Sequence, residues 1–314
     1  MRTLNSILII LFLMAGSVAK AVDYDIIVAK DGSGNFKTVQ EAILSVRDYT
    51  PVPKTIFVKK GTYIEKIVIP ASKCDITIIG ESRDSTIITY DDHAKISNMG
   101  TFNTYTLKVE GNRITIQNLT IENNAPMIAQ AVALHVEGTY FRLLNCNLLG
   151  NQDTLFTGNG TSYQYYKNCY IEGTTDFIFG PATAWFENCI IYSKKESYIT
   201  AASTPKENPY GYIFDHCQLT AADSVHKVYL GRPWRNYAYV LFMNCTMGDH
   251  IRPEGWHNWR DPEREKTARY AEYNNSGPGA DRSKRVAWSS ELSKKEAKKV
   301  TLKNVFPGWK DILE

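Results

Sequence analysis

Two aspartates occupy the same position in a repeating pattern, and together they could act as an acid and a nucleophile. Asp153 lies seven residues after Cys146. Asp176 lies seven residues after Cys169. If each repeat is one coil of a solenoid, the two carboxyl groups stand on adjacent strands, about 4.8 Å apart. Like charges at that distance cannot both ionise easily, so one pKa rises and the other falls. The pattern therefore predicts one protonated and one ionised carboxyl group.

Side chains near these aspartates supply the other functions that such a pair needs. Gln152 directly precedes Asp153, and the spacing places Gln130 on the preceding coil. Their amides can donate hydrogen bonds to a developing oxyanion. Arg232 can hold one carboxylate ionised through a bidentate pair, and Trp234 offers a flat face to a sugar ring.

The repeating pattern is a short strand motif that begins with asparagine in five of six copies. The copies are residues 118–121, 145–148, 168–171, 188–191, 216–219 and 244–247, spaced 20 to 28 residues apart. Spacing of this kind indicates a solenoid. Asparagine tolerates a left-handed backbone and can hydrogen-bond to a stacked copy of itself, so the pattern also predicts an asparagine ladder at the coil corners.

The remaining elements fit one all-β solenoid with capped ends. Apolar and β-branched runs predict strands, and Thr38 with Glu41 predicts a capped helix that covers the open N-terminal end. A lysine- and glutamate-rich helical pattern at 289–300 predicts a C-terminal helical segment. The runs predicted as strands are 26–28, 55–58, 67–69, 76–79, 114–121, 141–148, 163–171, 184–191, 212–219 and 239–247. Polar stretches at 157–161, 193–209 and 221–228 are predicted to be loops around a cleft.

The N-terminus predicts export. Arg2, the apolar run 7–15 and the small residues around Lys20 have the pattern of a signal peptide at 1–21, and the run is too short to span a membrane comfortably. The mature chain, 22–314, is then one secreted domain without a membrane segment. The formal net charge is +3 for the whole chain. It falls to about +1 without the leader, which argues against a nucleic-acid partner.

Five of the six cysteines occupy the central position of the repeat and are predicted to be buried. A Cys189–Cys217 disulfide and a ladder of free thiols both fit the sequence. Glycosylation sequons occur at Asn118, Asn159, Asn244 and Asn274. Only Asn159 and Asn274 are predicted to be accessible to a glycosylating host.

The chain resembles the pectin methylesterase (pectinesterase) family over about residues 25–309. The motifs occur in the order and approximate spacing of the family. They are Val28 to Phe36, Gly61-Thr62-Tyr63-Ile64-Glu65, Gln130 to Leu134, Gln152-Asp153-Thr154-Leu155, Asp176-Phe177-Ile178-Phe179-Gly180 and Leu230-Gly231-Arg232-Pro233-Trp234. Asn151 departs from the pattern, because the family often has an aromatic residue there.

The resemblance implies a right-handed parallel β-helix that hydrolyses methyl esters of polygalacturonate. Asp176 would be the nucleophile and Asp153 the general acid and base. Gln130 and Gln152 would stabilise the oxyanion, and Arg232 would keep Asp176 ionised. The implied substrate-binding residues are Thr101, Gln130, Phe156, Arg232, Trp234 and Trp256. The sequence leaves a packing role open for Trp256 and Trp259. No cofactor or metal is implied, the chain is expected to be a monomer, and a proteinaceous inhibitor is a further candidate partner.

Two other functions fit a solenoid with a polar cleft. Paired carboxylates also suit a glycosidase, although inverting glycosidases place them about 6.5–9.5 Å apart. A calcium-dependent lyase would need clustered acidic ligands, which the sequence does not show. A non-catalytic polysaccharide-binding protein is the third alternative, and the complete set of five catalytic candidates argues against it. The sequence contains no G-x-S-x-G elbow, the motif that would indicate a serine esterase.

Overall fold

A computed structural model describes residues 24–312 of the chain. The predicted signal peptide at 1–21 lies outside the described residues. Within 24–312 the strands pair only in parallel and form three long sheets. The prediction of a right-handed parallel β-helix is confirmed. None of the helices in this part of the chain is long and apolar enough to cross a membrane.

Each full coil contributes one strand to each sheet. Sheet A contains Ile26–Val28, Lys54–Val58, Ile76–Gly80, Thr115–Gln117, Phe141–Leu144, Tyr163–Lys167, Thr183–Glu187, Tyr212–Asp215, Tyr239–Met243, Arg269–Tyr273 and Ser290–Glu291. Sheet B contains Gly61–Ile64, Thr86–Tyr90, Thr120–Asn123, Asn147–Leu149, Tyr170–Gly173, Ile190–Ser193, Gln218–Ala221 and Thr246–Met247. Sheet C contains Ile67–Ile69, Leu107–Val109, Leu134–Val136, Leu155–Thr157, Ile178–Gly180, Tyr198–Ala202 and Tyr229–Gly231.

Asparagines with a left-handed backbone form the corner between sheets A and B, and two pairs of them among the described residues hydrogen-bond through their side chains. The long strands predicted from sequence are wrong in one respect, since each contains this corner and is two strands. Asn145, for example, has a φ of 51° between Phe141–Leu144 and Asn147–Leu149. Its Nδ2 donates to Asn118 Oδ1 at 3.0 Å. Asn274 Nδ2 donates to Asn244 Oδ1 at 2.8 Å, so Asn274 extends the ladder although the sequence had placed it outside.

The sequence predicts only one strand of sheet C, Ile67–Ile69. Most of the others have three residues, which is too short for a clear alternating pattern. The stretch 193–209, predicted to be a loop, contains the strand Tyr198–Ala202. The interior that these sheets enclose is apolar. It includes an in-register aromatic stack of Tyr166, Phe186, Phe214 and Phe242, with adjacent ring centroids 4.4 to 4.7 Å apart.

Helix α1, Val39–Ser45, caps the N-terminal end as predicted. The hydroxyl of Thr38 accepts from Glu41 N at 3.3 Å, and Val39, Ala42 and Ile43 are buried. The remaining helical elements are the short α-helices Lys294–Ala297 and Leu302–Val305 and the 3₁₀ turns Thr101–Asn103, Pro262–Lys266 and Pro278–Ala280.

The C-terminal segment covers the outer face of sheet A. The helical pattern predicted at 289–300 is only partly helical, because Ser290–Glu291 pairs as a strand and the first helix spans four residues. Phe306 and Trp309 pack on Tyr163 and Tyr140, both with ring centroids 5.4 Å apart. The C-terminal segment therefore covers part of the outer face of sheet A, whereas the outer face of sheet C remains open as a cleft.

The six cysteines are buried free thiols in the structure. Of the two sequence interpretations, the structure thus has the thiol ladder and not the Cys189–Cys217 disulfide. Desolvation raises the pKa of both thiols well above the usual range.

Candidate active site

A cleft of about 270 Å³ lies over the outer face of sheet C. Its floor follows a row of outward side chains in register, His135, Phe156, Phe179 and Ala201. The row forms because alternate residues of a strand point to opposite faces. The residues that line the cleft are Thr101, Phe102, Gln130, Gln152, Asp153, Asp176, Phe179, Ala201, Arg232, Trp234 and Trp259. All five predicted catalytic residues are therefore brought together.

Asp153 and Asp176 occupy equivalent places on neighbouring coils, as the spacing predicted. Leu155 pairs with Ile178, and each aspartate lies two residues before its strand. Both have a left-handed backbone, with φ of 66° and 49°. This conformation is uncommon for residues other than glycine, and such strain is concentrated at functional sites.

The two carboxyl groups have different partners. Asp176 accepts two hydrogen bonds from Arg232, from Nε at 2.9 Å and from Nη2 at 2.6 Å. Among the residues that the structure describes, no side chain donates a hydrogen bond to the Asp153 carboxyl group. Both aspartates are buried, with 8% and 6% of their surface exposed. Only Asp176 thus has a cation that balances its negative charge directly.

The environments separate the two pKa values. Burial, and then the charge of Asp176, raise the pKa of Asp153 well above its usual range. Burial also raises the pKa of Asp176, but the hydrogen bonds and charge of Arg232 act in the opposite direction. We therefore assign the proton to Asp153 and the negative charge to Asp176.

The two glutamines are fixed by their backbones and keep their amide groups available. Gln130 O accepts from Ala94 N at 2.9 Å, and Gln152 O accepts from Ala131 N at 3.0 Å. Both side chains line the cleft. Asn151, at the position where the family often has an aromatic residue, donates from Nδ2 to Ala125 O at 3.0 Å. It therefore ties the segment before Gln130 to the coil of Asp153.

The predicted aromatic residues fall into two groups. Trp234 lines the cleft. Phe156 is only 7% exposed and packs beneath Phe102 and Phe179, with ring centroids 4.9 and 4.8 Å away. It thus supports the floor and the rim of the cleft from below.

The prediction that Trp256 lines a sugar subsite is wrong. Trp256 is 1% exposed and packs in the core against Tyr270, with ring centroids 4.4 Å apart. Trp256 forms a parallel β-bridge with Gly231, and the Trp256 ring lies inside the β-helix. Trp259, three residues later, lines the cleft instead. The sequence had left a packing role open for both tryptophans.

Between residues 24 and 312 there is no group of three or more His, Cys, Asp or Glu side chains placed to hold a metal ion. The cleft combines a buried carboxyl group with a raised pKa, a carboxyl group paired with arginine, and two amide side chains, and this combination suits acyl transfer.

Comparison with known proteins connects this arrangement to one family. The Pectinesterase family model matches residues 25–308. Pectinesterase 31 of Arabidopsis thaliana is 39% identical over 281 residues, which is 86% of this chain and 88% of that protein. The pectinesterase/pectinesterase inhibitor PPE8B of Prunus persica is 39% identical over 284 residues, which is 86% of this chain but 54% of that protein.

Solved structures agree with the sequence relatives. Pectin methylesterase from carrot has a TM-score of 0.87 and 31% identity, with 91% of this chain and 94% of that chain covered. PemA from Erwinia chrysanthemi has a TM-score of 0.81 and 28% identity, with 92% and 98% covered. A pectin methylesterase in complex with a hexasaccharide has a TM-score of 0.80 and 28% identity, with the same 92% and 98% covered.

Proposed function

The chain belongs to the pectinesterase family of carboxylic ester hydrolases, and on that premise we propose that it hydrolyses the methyl esters of pectin to free carboxylates and methanol. The observation that carries the proposal is the Asp176–Arg232 pair beside an unpaired, buried Asp153 in one cleft. The names of the relatives support the substrate class.

In the first half of the proposed reaction, Asp176 attacks the C6 carbonyl carbon of a methyl-esterified galacturonate. The new bond forms from a carboxylate oxygen, and the carbonyl oxygen becomes an oxyanion that accepts hydrogen bonds from Gln130 and Gln152. As the tetrahedral intermediate collapses, the bond to the methoxy oxygen breaks and Asp153 gives that oxygen its proton. Methanol leaves, and an acyl anhydride links the galacturonate to Asp176.

In the second half, Asp153 acts as a base because it has lost its proton. It takes a proton from a water molecule, whose oxygen attacks the acyl carbonyl carbon of the galacturonate. The bond to Asp176 then breaks, and Asp176 leaves as a carboxylate that pairs again with Arg232. Both aspartates return to their initial states, and one ester and one water have given one acid and one methanol.

The outer parts of the cleft suit an extended saccharide. Thr101 and Phe102 stand on one side, and Trp234 and Trp259 stand on the other. Aromatic faces stack on sugar rings while polar groups fix their orientation. The hexasaccharide held by one of the similar structures supports binding of several sugar units.

Secretion is proposed from the N-terminal pattern, and the partners are proposed from the names of the relatives. We infer that residues 1–21 direct export and that the mature protein acts outside the cell as a monomer. The name of the Prunus persica relative combines a pectinesterase with a pectinesterase inhibitor. A separate proteinaceous inhibitor is therefore a candidate partner of this chain.

The test is product analysis on highly methylated pectin with the purified mature protein. We expect methanol release, without new reducing ends and without absorbance from unsaturated sugars. Reducing ends would instead identify a glycosidase, and unsaturated products would identify a lyase. A folded protein that binds pectin but forms none of these products would overturn the proposal in favour of a binding protein.

A further inference from the structure

The guanidinium of Arg232 lies between two aromatic rings. Its Cζ is 3.9 Å from the ring centroid of Tyr198 and 3.7 Å from that of Trp259. Two rings cannot occupy the same side of a planar group at these distances, so they cover its opposite faces. The edge of the guanidinium is then left for Asp176, which it contacts through Nε and Nη2.

This sandwich belongs to a longer column of aromatic rings and arginine side chains. Tyr198 stacks on Tyr229, with centroids 5.3 Å apart and planes 11° from parallel. Arg252 lies 4.7 Å from the centroid of Tyr229. On the other side of Arg232, the Arg264 guanidinium is 5.5 Å from the centroid of Trp259. Arg232 is therefore held from both directions by groups that are themselves packed.

The backbone of Trp259 is held in place as well. Its N–H donates to Nδ1 of His257 at 3.1 Å, and the His257 ring packs on Tyr198 and Tyr229, with centroids 5.4 and 5.3 Å away. Burial, and then the charge of Arg232, lower the pKa of His257. A neutral imidazole can accept this hydrogen bond, so its protonation state suits the contact. Trp259 is thus fixed over Arg232 by its peptide group and not only by its ring.

The position of Tyr198 follows from the coil register. Ile178 pairs with Thr200, so Tyr198 lies on the next coil at the place that Asp176 occupies on its own coil. Asp153, Asp176 and Tyr198 therefore hold equivalent positions on three successive coils. Tyr198 is not among the residues that line the cleft, and its ring contacts the guanidinium of Arg232.

The two rings that cover Arg232, those of Tyr198 and Trp259, matter most when Asp176 carries no charge. Once Asp176 is acylated, Arg232 loses its anionic partner. Water can replace that partner only in part, because only 18% of the Arg232 side-chain surface is exposed. Aromatic faces attract a cation through the ring quadrupole, and more strongly when water is excluded. Two such faces can therefore hold Arg232 in position until Asp176 departs as a carboxylate.

We propose that Tyr198 and Trp259 are positioning residues for the reaction, which clamp Arg232 in place while Asp176 is acylated. The inference rests on the proposed esterase function. Its two members differ in that Trp259 also lines the cleft, whereas Tyr198 acts only through Arg232. Tyr198 is therefore the cleaner position for a test.

The experiment compares Tyr198→Leu, Tyr198→Phe and Tyr229→Leu in methanol-release kinetics across pH. Tyr198→Leu removes the ring that faces Arg232, and we expect kcat to fall about 5- to 30-fold, the range of a partly desolvated cation–π contact. KM should change less than about twofold, because Tyr198 does not line the cleft. A loosened Arg232 holds the Asp176 charge less well, so the acid limb of kcat should move to higher pH.

The other two variants are the controls. Tyr198→Phe keeps the ring and should restore kcat. Tyr229→Leu removes a half-buried tyrosine of the same column that does not touch Arg232, and it should leave the acid limb in place. An unchanged kcat in Tyr198→Leu would overturn the clamp. It would also be overturned if Tyr229→Leu lost as much kcat as Tyr198→Leu and the acid limb moved in neither variant. An inactive wild type would count against the proposed function instead.

If Tyr198→Leu does not fold, Trp259→Leu tests the opposite face of Arg232. It should lower kcat and shift the acid limb in the same direction, together with a rise in KM from the lost cleft surface. A rise in KM alone would mean that Trp259 contacts only the substrate, and it would contradict the clamp.

Discussion

Two corners of the coil use the same backbone conformation for opposite purposes. At the corner between sheets A and B, Asn118 and Asn145 have φ values of 59° and 51°, and their side chains hydrogen-bond to one another. Before sheet C, Asp153 and Asp176 have φ values of 66° and 49°. Their side chains make no hydrogen bond to each other, and Asp176 turns to Arg232 instead.

The difference comes from what the two side chains can donate. An amide carries both donors and an acceptor, so each asparagine can satisfy the next one in a stack. Ionised carboxylates only accept, and two of them in neighbouring coils repel each other unless one keeps a proton. One corner therefore stabilises the fold, while the other holds an unequal pair of carboxyl groups ready for chemistry. Substitutions that exchange amides and carboxylates are the natural tests of this comparison.

The largest effect is expected for Asp176→Asn. An amide cannot act as the nucleophile, so methanol release should fall by about 10⁴-fold or more while the fold is kept. Asn168→Ala, on the same coil but at the asparagine corner, is the matched control and should change kcat less than about threefold. Comparable losses in both variants would mean that the two corners do not differ in function.

A smaller loss of activity is expected for Asp153→Asn. The acid and base function of one residue is worth about 10²–10⁴-fold, so kcat should fall within that range. In the wild type, activity should decline as pH rises through the raised pKa of Asp153, because the leaving methoxy group then receives no proton. The pH–rate profile of Asp153→Asn should lack this alkaline limb. An alkaline limb that survives unchanged would assign it to another group.

The same substitution should stabilise the protein at neutral pH. The ordinary pKa of an aspartate is 3.8, and folding raises the pKa of Asp153 well above it. Between these two pKa values the folded protein binds more protons than the unfolded chain. The free energy of unfolding therefore decreases as pH rises through this window. Asparagine removes the penalty, so Asp153→Asn should gain about 2 kcal/mol at pH 7. Urea unfolding at pH 7 and pH 4 measures this, and a gain that is not larger at pH 7 would contradict the assignment.

The smallest effect is expected at the asparagine corner. Asn145→Ala removes one hydrogen bond to Asn118 and places alanine in a left-handed conformation, which together should cost about 1 kcal/mol of unfolding free energy. Asn145→Gly loses the same bond but tolerates the backbone, so it separates the two contributions. Urea unfolding measures both, and kcat should be unchanged. A large loss of kcat in either variant would show that the ladder also shapes the cleft.

Residue spacing predicted the two corners because both repeat with the coil. The asparagines recur at one position of the coil and the two aspartates recur at another, and both repeats can be recognised in the sequence. Of sheet C only Ile67–Ile69 was predicted, because short segments such as Ile178–Gly180 show too little alternation to be recognised as strands. The equivalence of Tyr198 and Asp176 could have been found from their spacing of 22 residues, close to the 23 that separate the two aspartates.

The choice between the two tryptophans could not be made from sequence. Trp256 and Trp259 are three residues apart, and nothing in the local pattern shows which ring faces the cleft. Backbone geometry decides it, because Trp256 bridges to Gly231 while Trp259 has a left-handed φ of 63° that turns the chain outward. The choice depends on a contact between neighbouring coils, which the local sequence does not show.

The most direct test of the unequal aspartates is a ¹³C NMR titration of their carboxyl carbons in the wild-type protein. Protein labelled with [¹³C]aspartate would be used, and Asp153→Asn and Asp176→Asn would assign the two signals. We expect Asp153 to keep its proton to a higher pH than Asp176, and removal of Asp176 to lower the pKa of Asp153. Equal titration of the two groups, or a proton that resides on Asp176, would contradict it.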